Sequence, residues 1–332
     1  METNDKTRYT ITDLAIGGQA VIEGVMMRGA DRIATAVRIP DGRILVKTED
    51  YKPVSRRHRL LRLPIVRGAL SFVEMLVIGI RTLNFSADVA MKELDKQDAA
   101  KNGTTAEPAV AKRNSLWLAL SAILAVILGV FIFFFLPLAI SSLFDIDRNA
   151  VWFNLAAGGI RLGMFVAYVW VISQFSEFKR IFQYHGAEHK SIYAYESHDE
   201  LVPERAATHT RFHPRCGTSF ILIVALFAVL TYTISDTIYA LITGHPPALL
   251  IRFVVHFSLL PLVAGGSYEL LKLSGKTRQH RITRLLIRPG LWLQRITTKE
   301  PSREQLEVAI VALEAALGIA ESRVTAERAA AS

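Results

Sequence analysis

LWLALSAILAVILGVFIFFFLPLAI, residues 116–140, runs for 25 positions without a charged side chain. A helix crosses the hydrocarbon core of a bilayer in roughly 20 apolar residues, so this stretch is long enough to span one. With its flanks the block covers about 115–143, and three more follow at about 151–175, 218–243 and 248–271. A buried soluble helix would account for one such run. Four of them in 332 residues predict an integral membrane protein, mainly α, with its transmembrane helices in two hairpins. The 51% hydrophobic content and mean hydropathy of +0.29 agree, because the apolar residues are gathered in blocks. The start, METNDKTRYTITD, is polar and shows no charged-then-apolar leader, so no cleavable signal peptide is expected.

Lysine and arginine set the orientation, since they stay on the cytoplasmic side. Residues 1–113, 176–217 and 271–332 hold 36 of the 39, and the short connections 145–150 and 244–247 hold only Arg148. Both termini and the 176–217 loop are therefore expected in the cytoplasm, with the chain in the cell membrane. The net charge of +9 then faces anionic lipid headgroups. Nucleic acid is not expected as a partner, because no recognition module accompanies the basic balance.

The chain divides accordingly. Residues 1–92 form an N-terminal cytoplasmic region with a glycine-rich segment (15–29), a β hairpin and an amphipathic helix. The hairpin reads from IATAVRI and ILVKTE flanking Pro-Asp-Gly. From Pro64 to about Met91, apolar residues recur every three to four positions with Arg67, Glu74 and Arg81 between them. That helix is expected to pack on the bundle's cytoplasmic end or lie in the interface, rather than form a fifth span. Residues 93–113 are charged and poor in bulky apolar side chains, the composition of a mobile linker. The four-helix membrane domain is 114–271, and a cytoplasmic tail fills 272–332. In that tail Trp292 and Leu293 suit a membrane interface. Ser302 and Gln305 make a capping box that opens an amphipathic helix. Its apolar face needs a protein partner, most simply this same cytoplasmic domain.

Chemistry concentrates in YHGAEHK, residues 184–190. Five of the nine histidines lie between 185 and 213. On a helix His185 and His189 share one face a turn apart, with Glu188 about 60° around from His185. Two such imidazoles can hold one metal ion, and His-x-x-Glu-His is also the spacing of inverted zinc peptidases, where the glutamate is the general base. Gly186 weakens the helix reading. RFHPRCGTSF adds His213 and Cys216 just before the third apolar block, on the same expected membrane face. Imidazole and thiolate point to zinc or another divalent metal. The competing reading is a polar, headgroup-facing loop. A deaminase pattern is excluded, since it needs two cysteines and Cys216 is the only one.

GGQAVIEGVMMRG, RIFQYHGAEHKSI, RFHPRCGTSF and PGLWLQRITTKEP, in this order along nearly the whole chain, resemble the signature blocks of the YqhQ-like family. These are bacterial multi-pass membrane proteins catalogued as a domain of unknown function. The resemblance implies a metal-dependent enzyme with no settled substrate. The positions matching those blocks are Gly17, Gly18, Gln19, Glu23, Gly24, Arg28, His185, Glu188, His189, Lys190, His213, Arg215 and Cys216, with Glu196 where the family tends to place an acid. His198 and His209 fall outside the blocks and are read as loop residues. Gln19, Glu23 and Arg28, in a glycine-punctuated segment, are expected to join the same site.

Arg161 lies about ten residues into the second apolar block, too deep for an interfacial anchor. It is expected to face the bundle interior and find a carboxylate, carbonyl or water, with Asp236 and His256 as candidate neighbours. Arg252 is expected to snorkel at the outer end of the fourth block. Three function classes follow. The first is a metal-dependent membrane hydrolase with His185, His189 and His213 or Cys216 as ligands and Glu188 as base. The second is a non-catalytic scaffold or assembly factor with a structural zinc site closed by a fourth ligand. The third, a transporter, ranks last, since only AAGGIRLG and VAGGSYEL hint at broken spans. The residues name no substrate.

Overall fold

The computed structural model describes residues 16–102, 115–144, 146, 149–276 and 281–319. The polar start, Arg148, linker residues 103–113 and the tail beyond 319 lie outside the described residues.

The N-terminal region is larger than a lone hairpin. Strands β1 (Gly17–Val21), β2 (Gly24–Arg28), β3 (Arg32–Arg38) and β4 (Ile44–Asp50) form an antiparallel meander in that order. The predicted hairpin is β3–β4, paired from Arg32 opposite Asp50 to Arg38 opposite Ile44. The glycine-rich segment supplies β1 and β2, with Glu23 at φ 53° in their tight turn. β2 and β3 are buried on both faces, which explains their nearly unbroken apolar sequence. Val25, Met27, Ala34 and Ala36 face one core. Over Ile33 and Thr35, on the other side, lies helix α1 (Val66–Asn102).

Helix α1 meets its apolar periodicity but continues through the first part of the expected linker, to Asn102. Local helix propensity carries it there, for Glu, Leu, Lys, Gln and Ala are all good helix formers. Its far face leaves Phe72, Val73, Leu76, Val77 and Ile80 exposed.

The apolar blocks form α2 (Ser115–Val130), a π-helical turn (Phe131–Phe135), α3 (Leu136–Ser142), α4 (Ala150–Ile172), and then, after the site, α7 (Gly217–Thr243), α8 (Leu249–Ser258) and α9 (Leu260–Lys276). Among the described residues, three helical stretches, Ile123–Ser142, Ala150–Ile172 and Ile223–Thr243, are long and apolar enough to cross a membrane. The fourth expected span is a pair, α8 and α9, bent by 51° at Leu259. Counting it as one span gives four.

The 176–217 segment is mostly helix rather than loop. A three-residue turn after α4 leads into α5 (Ser176–Glu196), and α6 (Pro203–Ala207) follows. Helix α10 (Arg281–Thr297) contains Pro289 and packs on α7. It buries Leu293 and exposes Trp292. The last helix, α11 (Arg303–Leu317), starts with the expected capping box and ends at Gly318 with φ 72°. Its apolar face covers the sheet and α5, so the partner it needed is this same chain.

Candidate metal centre

Helix α5 is the spine of the site. One side, with Tyr184, Ala187 and Ile192, packs into the core shared with the sheet and α11. Gly186 does not break the helix, and its lack of a side chain has a purpose. A Cβ there would strike the Lys299 carbonyl, in the segment joining α10 to α11. That close approach lets Lys299 N–H donate to the Phe182 carbonyl at 2.8 Å and brings Thr297 beside His185.

The next turn of α5 presents the donors. His185 Nδ1 lies 2.8 Å from the Thr297 carbonyl, and His189 Nδ1 bonds the Arg211 carbonyl. A carbonyl only accepts, so in both rings Nδ1 carries the proton and Nε2 keeps its lone pair. His185 Nε2 then lies 3.2 Å from Cys216 Sγ. One ligand atom from each of His185, His189 and Cys216 fits within 4.8 Å of the others, an arrangement that could hold a metal ion. Backbone carbonyls that fix the far nitrogen of a histidine are what metal sites use to orient their ligands. Burial presses the His189 pKa below the ordinary imidazole range, so this ring is neutral near pH 7.

Glu188 is buried beside the donors, against strand β1. A Cβ on Gly18 would come within 2.9 Å of the carboxyl carbon, so glycine is what lets strand and carboxyl meet. Desolvation raises the Glu188 pKa, opposed by His185, His213 and the Gly18 backbone. His185, Glu188, His189, His213, Arg215 and Cys216 all line one cavity of about 370 Å³, which Gly18 and Gln19 border from the sheet.

The other predicted residues divide. His213 stands in the cavity wall but outside the three-donor group. Its backbone is clamped by Gln294, which accepts from His213 N–H at 2.7 Å and donates to its carbonyl at 2.8 Å. Its Nε2 is 3.7 Å from Glu196, which also pairs with Arg215. Glu23, Arg28 and Lys190 do not line the cavity. Glu23 pairs with Arg180 and accepts from Tyr184 Oη at 3.3 Å, holding the β1–β2 turn to α5. Arg28 reaches Met75 and lies over the Tyr51 ring, and Lys190 donates to the Ala207 carbonyl and pairs with Glu300. His209 binds Asp199, and His198 is exposed. Gln294 and Thr297 were not anticipated as site residues. The available signal was a lone buried-type amide between Leu293 and Arg295 in a segment read only as interfacial.

In the apolar bundle Arg161 does find carbonyls. Its Nε donates to Phe133 O at 2.9 Å, and its guanidinium lies over the Phe134 ring. The π-helical turn offers these oxygens, because widening the helix there frees carbonyls from their usual partners. Asp236 and His256 are not its neighbours. Asp236 pairs with both His256 and Arg252, and Arg252 is 2% exposed and therefore no snorkelling anchor.

A profile of the family described as "Protein of unknown function (DUF1385)" matches residues 63–319. The chain is also 34% identical over 307 residues to the "Uncharacterized protein YqhQ" of Bacillus subtilis (strain 168), across 89% of this chain and 90% of that protein. No solved structure matches.

Proposed function

This chain belongs to the DUF1385 family of proteins of unknown function, and from that premise we propose that it is a multi-pass membrane hydrolase with a divalent metal at its cytoplasmic face. The observation that carries the proposal is the locked pair of imidazoles. His185 and His189 both donate Nδ1–H to backbone carbonyls and aim their other nitrogens toward Cys216. Tetrahedral zinc would ask for nitrogen and sulfur about 3.5 Å apart, and His185 Nε2 and Cys216 Sγ stand at 3.2 Å. Zinc is the favoured occupant, since magnesium and calcium prefer oxygen ligands.

A bound ion of this kind supplies an activated water and a polarised substrate oxygen. The chain's own residues do the rest. Glu188 moves the proton: water's hydroxyl goes to the electrophilic centre, and its proton passes through this carboxyl to the leaving atom. A carboxyl lifted by burial suits that exchange, because its proton affinity lies nearer neutrality. Arg215, held by Glu196, gives the cavity a cationic wall for a polar or anionic part of the substrate. A zinc staple in a scaffold would close its fourth position with protein. The cavity beside these three donors favours the open, catalytic form.

Elemental analysis of detergent-purified protein tests the reading. About one equivalent of zinc is expected in the wild type and little in His185→Ala. A wild type without metal after purification free of chelators, and unable to take up added zinc, sinks it.

The membrane orientation rests on the Lys and Arg distribution, and the exposed apolar face of α1 suits the same interface. On intact cells, an impermeant thiol reagent should label Asn149→Cys and miss Glu200→Cys. The reverse pattern would put the site outside.

A further inference from the structure

A second cavity, of about 240 Å³, lies among the apolar helices, lined by Phe134, Arg161, Phe165, Ala225, Tyr232 and Val263 among others. It shares one lining residue with the metal-centre cavity, Ile221 on α7. From that helix Ile221, Val224, Ala225, Ala228 and Tyr232 all face the second cavity, a stripe at helical spacing. At 1.5 Å per residue the stripe runs about 16 Å along the helix axis. It starts one turn past Cys216, the sulfur donor of the candidate centre. Thus the sulfur donor stands just before α7, the two imidazoles stand beside it on α5, and the apolar chamber follows farther along α7.

From this we infer that the substrate is a membrane amphiphile, its polar head at the His185–His189–Cys216 centre and one hydrocarbon chain in the chamber beneath. The chemistry of the walls favours a chain. Apart from Arg161 and the Tyr232 hydroxyl, every lining side chain is apolar or glycine. The guanidinium of Arg161 is engaged by the Phe133 and Phe134 carbonyls and by the Phe134 ring. Size limits the guest. An engineered apolar cavity of about 150 Å³ takes one benzene, so a chamber of 240 Å³ takes a stretch of one chain rather than two. Supply agrees as well, for a chamber among membrane-spanning helices is filled most readily from the bilayer. Small residues keep the space open: Ala225 and Ala228 stand where larger side chains would fill it.

The inference deepens the hydrolase reading and rests on it for the reaction, whereas occupancy of the chamber is measurable without any metal. The probe is lysophosphatidylcholine carrying a nitroxide near the end of its chain, added to protein in nanodiscs and read by electron paramagnetic resonance. An immobilised component is expected with wild type. Ala225→Phe, which fills the chamber, should remove most of it. Leu226→Phe, on the exposed side of the same helix, should leave it unchanged. Ile221→Ala, which trims the one side chain lining both cavities, should enlarge it, and this variant decides the matter if Ala225→Phe does not fold. Equal spectra from wild type, Ile221→Ala and Ala225→Phe, or no immobilised component at all, would overturn the inference. Zinc content read on the same samples separates the two readings. Metal with no chain signal defeats the amphiphile alone, and a chain signal without metal defeats only the hydrolase.

Discussion

Asp236→Ala is expected to destabilise the protein by about 3–5 kcal/mol, the usual cost of leaving a buried ion without its partner. Asp236 is 2% exposed and gathers three helices. Asn154 from α4 donates to it at 3.0 Å, and His256 Nε2 and Arg252 Nε from α8 lie at 2.9 and 3.2 Å. Arg252 also sits 3.6 Å from the centroid of the Phe153 ring, and His256 stacks on Tyr232 at 4.1 Å. Removing the carboxylate takes from a buried guanidinium its counter-charge in this cluster. Arg252→Met should cost less, because His256 and Asn154 still satisfy the carboxylate and the new side chain fills part of the space. The double variant should recover part of the loss seen with Asp236→Ala alone, the mark of a coupled pair. Thermal unfolding in detergent measures all three. Equal unfolding temperatures for Asp236→Ala and wild type would mean the cluster does not hold the bundle together.

The second large effect belongs to the metal centre, where two adjacent substitutions should part company. His189→Ala removes a donor and should lose both the metal and the stability that comes with it. A ligand bound only by the folded state adds about 4 kcal/mol when present at a thousand times its Kd. Chelation should therefore lower the unfolding temperature of wild type and leave His189→Ala unmoved. Glu188→Gln keeps the shape and the contact with Gly18, and no donor atom of the three-residue group is lost. It should retain zinc near the wild-type level while abolishing hydrolysis. Loss of zinc in Glu188→Gln would make the residue a ligand and remove the base from the mechanism. Acid should act in the same direction as His189→Ala. The unfolded chain takes up a proton on this imidazole below about pH 6.5, whereas burial keeps the folded ring neutral to lower pH. Stability contributed by the neutral ring is thus present above that range and is lost as pH falls through the folded-state pKa.

Several features were legible in the sequence because they depend on neighbours along the chain. Apolar runs mark α2, α4 and α7, and Pro-Asp-Gly marks the β3–β4 hairpin. Ser302 and Gln305 cap α11 reciprocally, three residues apart. His185 and His189 share a face because four residues make just over one helical turn. Cys216 was legible as a companion to them through its position before an apolar helix, but the choice between Cys216 and His213 was not. That choice, like the others that escaped, depends on segments far apart in the chain. Gln294 clamps the His213 backbone from 81 residues away, and Thr297 fixes the tautomer of His185 from 112 away. Arg252 carries the same charge as Arg161 in an equally apolar setting. One is neutralised by Asp236 and the other is met by carbonyls of a π-helical turn. Gly186 reads as a weak point in a helix and Gly18 as part of a glycine-rich segment, and each marks a place where another segment packs against bare backbone. Periodicity reports which face of an element is apolar. Which partner meets that face, and which polar atoms are stripped of water when it does, is decided only when the elements pack.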